Sequence, residues 1–310
     1  MSATRRATHP QTGEFGEPAL GYTTHMSDDE QHEAKTIDYP GRTAGMPDQP
    51  RDEMRDYRGR DLLAGRKALV TGGDSGIGRA VAVAFAKEGA DVAIAYLEED
   101  DDARRTVELI EEQGRSGRAY PGDLADQSHC ADVVQRTVDD LGGLDLLVNN
   151  VAFQSPVDDF LDLEPDQWRR TFDVNIDSFF HVTRAAVPHL TGGGAIINTG
   201  SINGLRGNKQ LIDYSATKGA VIALTYSLAQ ALLERKIRVN CVAPGPVWTP
   251  LIPATMPADK VADFGAQVPM KRAAQPDEIA PSYVFFASDQ LSSYYTGEVL
   301  APIGGETLPG

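Results

Sequence analysis

From about residue 66 onward, short apolar runs alternate with segments of helix length, and this alternation admits few architectures. "RKALVTGG" is an apolar run that ends in glycines, and the Ala-rich "GIGRAVAVAFAKEGA" after it is closed by Gly89. "DVAIAYL" reads as a second strand, and "DDARRTVELIEEQGR" as a second helix with its apolar residues on one side. "RAYPGDL", "LDLLVNN", "GAIINTGS" and "KIRVNCVAPGP" supply further strands, with "TGEVLAPIGG" as the last. Buried strands separated by helices imply βαβ units and a parallel sheet covered on both faces. No internal repeat is visible.

Residues 1–60 follow no such pattern. They are rich in Pro, Gly, Asp, Glu and Thr and poor in aliphatic residues, so they read as an extended or disordered arm. The alternative is an arm ordered by lying across its own domain or a neighbouring subunit. The expected division is an arm over 1–60 and a catalytic domain over 61–310. A formal net charge of -16 argues against nucleic-acid or anionic-membrane partners, which require clustered Lys and Arg. No apolar run is long enough to span a membrane, and the first residues, "MSATRRATHPQTGEFGEP", have no apolar core of a secretory signal. Cys130 and Cys241 are far apart and lack metal-like spacing, so no disulfide framework and no metal site are expected. A reducing, cytoplasmic setting follows.

The segment "TGGDSGIG", Thr71 to Gly78, falls at a strand-to-helix turn. Glycines at Gly72, Gly76 and Gly78 let the backbone turn sharply, approach a pyrophosphate and pack the helix on the sheet. The helix N-terminus, with Asp74, Ser75 and Ile77 beside it, offers unpaired N–H groups and a favourable dipole to phosphate. A glycine cluster alone is weak evidence, because tight turns need glycine anyway. Its place after the first strand of a βαβ series makes dinucleotide binding the favoured reading, and the fold expected is a single Rossmann-type, doubly wound parallel sheet of about seven strands.

The second strand ends with Tyr96 and Leu97, where an adenosine ribose is expected, and runs into the acidic Glu98 to Asp102. These acidic surroundings lean towards NAD over NADP, although acidic residues also stabilise the first turn of a helix. Asp123 and Leu124, after the third strand, are placed to flank the adenine. Asn149, Asn150, Val151 and Ala152 follow the fourth strand at the sheet edge where ligands collect. Two adjacent asparagines also serve as ordinary caps.

Tyr214 and Lys218 lie four residues apart, on one face of a predicted helix. In most sequences such a lysine rests its stem on the ring at a solvated surface. The sharper reading is that Lys218 lowers the pKa of the Tyr214 phenol, ordinarily near 10, and so prepares it for proton transfer. Asn175, in a helix beside the sheet, and Ser201, just past a strand, stand near this pair in the order of the chain.

The ordered set TG-x-x-x-GIG, NN-x-x, Asn175, Ser201, Y-x-x-x-K and then Pro244–Gly245 resembles the short-chain dehydrogenase/reductases over roughly residues 62–305. Each motif is common, but the ordered set, with its interval of 13 from Ser201 to Tyr214, is specific. The arm, "TGGDSGIGRAVA", "DYSATK" and "VAPGPVWTPL" are similar to a bacterial subgroup of general-stress oxidoreductases and aldehyde reductases. The resemblance implies an NAD- or NADP-dependent oxidoreductase acting on a small-molecule carbonyl or alcohol. Tyr214 would be the acid and base, Lys218 would lower its pKa and hold the nicotinamide ribose, Ser201 would polarise the substrate oxygen, and Asn175 would position a relay water. Val247 and Thr249 would touch the cofactor, and residues of about 247–270 would form a lid. Trp248, Phe153 and Gln154 are candidates for an apolar substrate pocket, with Trp248 equally placed to be a core or interface residue. Val151 and Ala152 replace the family's Ala and Gly, and Asp74 stands where the family has basic or small residues. Relatives imply a homotetramer joined through helices near 164–188 and 213–234 and the last strand, with the arm touching a neighbour. A dinucleotide-binding sensor without turnover is the alternative from another class. An epimerase or dehydratase would need a larger C-terminal substrate domain than the chain provides.

Overall fold

Seven strands form where the apolar runs predicted them: β1 Lys67–Thr71, β2 Asp91–Tyr96, β3 Gly117–Pro121, β4 Leu144–Asn149, β5 Leu190–Thr199, β6 Arg238–Val242 and β7 Val299–Leu300. All pair in parallel, in the order β3-β2-β1-β4-β5-β6-β7. The computed structural model describes residues 32–307; residues 1–31 of the expected arm lie outside the described residues.

Successive strand residues point to opposite faces, so each strand feeds two cores. Ala68, Val70, Val92 and Ile94 pack on one side, under α1 (Gly76–Lys87), α2 (Asp100–Glu111) and α10 (Pro276–Ala287). Leu69, Ala93, Ala95 and Leu147 pack on the other, under α3 (Gln127–Leu141), α5 (Ser178–Ala186) and the end of α7 (Ile212–Ala231). The remaining α-helices of the described residues are α4 (Pro165–Phe172), α6 (Ile202–Arg206), α8 (Leu251–Thr255), α9 (Ala258–Ala262) and α11 (Asp289–Ser292). The sheet is therefore doubly wound, as expected. Its strand order reverses between β1 and β4, and the carboxyl ends of those two strands open a crevice.

Asn175 departs from the helix predicted around it. Residues Asp173–Asp177 form one π-helical turn that joins α4 to α5 in a continuous rod. Such single-turn widenings concentrate at functional positions.

Residues 32–60 run across the domain itself with one 3-10 turn, Thr43–Gly45. Met46 and Met54 are buried, and Trp248 is fully buried beneath this segment. The Trp248 ring stacks on His32 with centroids 3.5 Å apart, and its Nε1 donates to the Asp48 carbonyl at 2.9 Å. Further along, the Glu88 carboxylate accepts from the Arg60 and Leu62 amides at 2.7 and 3.0 Å, and from the Tyr57 hydroxyl. The expectation that placed Trp248 in a substrate pocket is thereby corrected: burying a side chain of this size against the arm decides its position.

Candidate active site

The glycine loop turns between β1 and α1 as the spacing required. Gly72 and Gly76 take φ of +60° and +52°, values that a side chain resists. A Cβ at Gly78 would lie 1.8 Å from the Gly72 carbonyl oxygen, so the loop closes on itself only with glycine there. A Cβ at Gly76 would come within 2.9 Å of Thr249 Cγ2, which places Thr249 directly over the loop. Asn150 holds the same turn from β4: its Nδ2 donates to the Thr71 and Gly72 carbonyls at 3.2 and 3.0 Å. The Thr71 hydroxyl accepts the Asn150 and Val151 amides at 2.9 and 3.2 Å. Asn149 has a different task, donating to Thr183 and Asn198 inside the sheet at 3.0 and 2.9 Å.

A cavity of about 810 Å³ runs along the carboxyl edge of the sheet from this loop. Gly72, Asp74, Ser75, Gly76, Ile77, Tyr96, Leu97, Asp123, Leu124, Asn150, Val151 and Ala152 line it. Ser201, Tyr214, Lys218, Pro244, Gly245, Val247 and Thr249 line it as well. Of the residues named for catalysis and cofactor binding, Gly78 and Asn175 do not reach it. Gly78 is packed beneath the loop, and Asn175 is buried behind the wall. Gln154 lines the cavity and donates to Thr255 of α8 at 3.0 Å, but Phe153 and Trp248 are absent from its wall. In the expected lid, Leu251, Ile252, Met256 and Phe264 reach the cavity.

The far end of the cavity collects the chemistry. Ser201 caps α6 by accepting the Asn203 amide at 3.1 Å, and its hydroxyl is close enough to Tyr214 to act on the phenol. Lys218, one turn beyond Tyr214, is 1% exposed and donates from Nζ to the Thr199 carbonyl at 2.8 Å. Its Nζ stands 5.6 Å from the Tyr214 ring centroid and 5.4 Å from that of Phe179. Burial pushes the ammonium down from 10.5 to about 8. Burial also pushes Tyr214 up to about 12, against the lowering that Ser201 exerts. Desolvation is the leading cause, so in the protein without a bound cofactor the phenol stands above its ordinary value. Asn175 braces the wall from behind. Its Oδ1 accepts the Phe153 amide at 2.7 Å, and its Nδ2 donates to the Phe153 carbonyl at 2.8 Å and Thr217 Oγ1 at 3.2 Å.

The adenosine end is acidic. Asp74 is buried and pushed up to about 7, first by burial and then by the charge of Glu99. Arg79, the cation nearest the loop, is fully used: it donates to the Asp74 carbonyl at 2.9 Å and pairs with Asp102 at 2.9 Å and Asp52 at 3.3 Å. Sequence reasoning missed Arg170 and the arm residues Tyr39, Pro40 and Gly41, all of which line the cavity, and took Glu99 only as part of the acidic run. The Pro-Gly pair in "DYPGR" was the one signal available, since it marks a turn within the polar arm.

Residues 72–307 match the short-chain dehydrogenase family model described as enoyl-(acyl carrier protein) reductase. The chain belongs to the short-chain dehydrogenase/reductase family. Among relatives of this oxidoreductase, general stress protein 39 of Bacillus subtilis is 51% identical over 266 residues, 86% of this chain and 93% of that one. An NADPH-dependent aldehyde reductase 1, chloroplastic, of Arabidopsis thaliana is 47% identical over 275 residues, 87% of this chain and 96% of that one. A short chain dehydrogenase from Burkholderia cenocepacia, solved in complex with NADP, superposes with a TM-score of 0.74 at 34% identity over 79% of this chain and 98% of that one. The family takes a nicotinamide cofactor, and the local fit agrees in part: the loop closes only with glycine at Gly78, and Ser75 does not cap α1, although the Gly76 amide already donates to Asp52 Oδ2 at 3.0 Å. Among the described residues no helix is long and apolar enough to cross a membrane, and no group of three or more His, Cys, Asp or Glu is placed to hold a metal ion.

Proposed function

We propose that this oxidoreductase reduces aldehydes or ketones, and oxidises the corresponding alcohols, with a nicotinamide cofactor held along the cavity. One observation carries the reading: Ser201, Tyr214 and Lys218 converge on the same cavity that the glycine loop lines. Gly72 to Ile77 and the first turn of α1 would hold the pyrophosphate, Tyr96, Leu97, Asp123 and Leu124 the adenosine, and Asn150 to Ala152, Pro244, Gly245, Val247 and Thr249 the nicotinamide half. A bound nicotinamide supplies or accepts the hydride, and its oxidised ring adds positive charge to the site.

The chain's own groups handle the oxygen and its proton. Ser201 donates to the substrate oxygen and stabilises charge as it develops there. Tyr214 gives its hydroxyl proton to that oxygen in reduction and removes one from the alcohol in oxidation. Lys218, as the ammonium, holds ribose hydroxyls and opposes the desolvation that raises Tyr214. Asn175 has both Nδ2 hydrogens engaged, so it presents acceptors alone to a relay water. Leu251, Ile252, Met256 and Phe264 supply apolar surface to the cover beside the charged Asp259, Lys260 and Asp263, which suits a substrate with both a hydrophobic and a polar side.

The relatives named with a cofactor point to NADP(H), against the lean to NAD that the acidic run supplied. Asp74 and Glu99 at the ribose end work against a 2′-phosphate, so the ratio of NADPH to NADH turnover measures which influence prevails. A homotetramer is proposed through α4, α5 and α7, where Trp168, Phe180 and Tyr226 are exposed. The buried free thiols of Cys130 and Cys241 agree with a cytoplasmic setting.

The test is turnover of short and aromatic aldehydes with each cofactor, beside Tyr214→Phe. The variant is expected to lose about 10²–10⁴-fold in kcat while binding cofactor as before. Tight cofactor binding by the wild-type chain without turnover on any aldehyde, ketone or alcohol would leave a dinucleotide sensor instead.

A further inference from the structure

The arm does more than cover the fold. Between its two anchor points it passes over the mouth of the cavity. At one anchor, the Ile37 amide donates to the Pro253 carbonyl of α8 at 3.0 Å. Close by, Gly41 at φ +98° sits so near α8 that a Cβ would lie 2.8 Å from the Pro250 carbonyl oxygen. At the other anchor, the Thr43 amide donates to Asp102 Oδ2 of α2 at 2.8 Å. Asp102 is itself tied to Arg79 of α1, so this end is fastened to the helix that begins at the glycine loop. The segment thus joins the element after β6 to the element after β2, which flank the crevice from opposite sides.

Tyr39, Pro40 and Gly41 line the cavity from above, together with the glycine loop below. Tyr39 lies at the adenosine end. The charges of Arg170, Glu99 and Asp123 act on its hydroxyl, and Arg170 Nη1 pairs with Asp123 at 2.6 Å. Its ring meets the edge of Phe153 at 5.6 Å between centroids. Although the strand of arm that carries it is pinned on both sides, the Tyr39 side chain stays 42% exposed.

We infer that residues 37–43 form the roof of the cofactor site and that Tyr39 is a binding residue for the adenosine half of the dinucleotide. The inference rests on the proposed function, because it requires a dinucleotide in this cleft. A flat ring beside a guanidinium–carboxylate pair suits a purine: the ring covers a face, and Arg170 and Asp123 offer a donor and an acceptor at its edge. A cofactor lying under a segment fastened at both ends leaves only when that segment lifts, so the roof acts mainly on the rate of release.

The experiment uses the full chain with NADPH and NADH as probes. Release is followed by the loss of reduced-nicotinamide fluorescence on chasing with oxidised cofactor, and Kd by fluorescence titration. Tyr39→Ala is expected to speed release about tenfold and to weaken binding in proportion, whereas Tyr39→Phe stays within about twofold of wild type. Because the side chain is partly exposed, thermal unfolding should move little. A measurement that needs no variant accompanies it: saturating cofactor should slow amide hydrogen exchange of residues 37–43 about tenfold or more. Release and exchange both unchanged, in a protein that binds and turns over cofactor, overturn the roof and leave the proposed function standing. A wild-type chain that binds neither dinucleotide overturns both.

Discussion

At the scale of single residues, the decisive quantity is the cost of burying charge. Lys218 sits beside two aromatic rings and a carbonyl, and burial holds its ammonium at about 8. The ammonium is the acidic form, so it is lost as pH rises through that value. For free enzyme, kcat/KM for the cofactor is therefore expected to fall above pH 8, and Lys218→Met is expected to show a low, flat profile instead. A wild-type profile level from pH 7 to 9 would contradict this role. The sign for stability is opposite. Between pH 8 and 10.5 the unfolded chain holds the proton that the folded chain has shed, so this residue makes stability rise with pH across that window. Tyr214, raised to about 12, acts the other way from pH 10 upward, where the unfolded phenol ionises first.

At the scale of elements, the turn between β1 and α1 shows how closely one motif is dictated by packing. Gly78 belongs to the motif for a reason unrelated to ligand contact, since it lies beneath the loop against the Gly72 carbonyl. Gly78→Ala must push apart the turn that Asn150 clamps. It is expected to cost about 1–3 kcal/mol of stability, read from urea unfolding, and to abolish cofactor binding. Unchanged cofactor affinity would show that the loop tolerates more room than its geometry indicates. The π turn at Asn175 is the complementary case. Nothing in "FDVNIDSFF" marks a widened turn, because its signal is the tertiary partner Phe153, which takes both ends of the Asn175 amide. The strands, by contrast, were readable from composition because a sheet covered on both faces needs apolar residues at nearly every position.

At the scale of the whole molecule, the described part of the arm behaves as a piece of the catalytic domain. Trp248 links the two, stacked on His32 and hydrogen-bonded to Asp48. Trp248→Ala is expected to cost about 3–5 kcal/mol in thermal or denaturant unfolding. Limited proteolysis should then cut between residues 32 and 60 before the sheet unfolds. Cleavage there at the wild-type rate would mean that Trp248 does not fasten the arm.

What the sequence determined by itself was short-range in origin. The alternation of strand and helix, the glycine turn, the parallel sheet and the order of Ser201, Tyr214 and Lys218 follow from local periodicity and backbone sterics, which neighbouring residues decide among themselves. What only the tertiary structure decided was set by partners distant in sequence. Trp248 belongs to the arm because His32 and Asp48 arrive from 200 or more residues away, and Tyr39 reaches the cavity because α2 and α8 pin its segment over the crevice. The burial of Tyr214 is of the same kind: a one-dimensional reading sees the lysine four residues on, but not the desolvation that raises the phenol, because desolvation depends on every group packed around the hydroxyl.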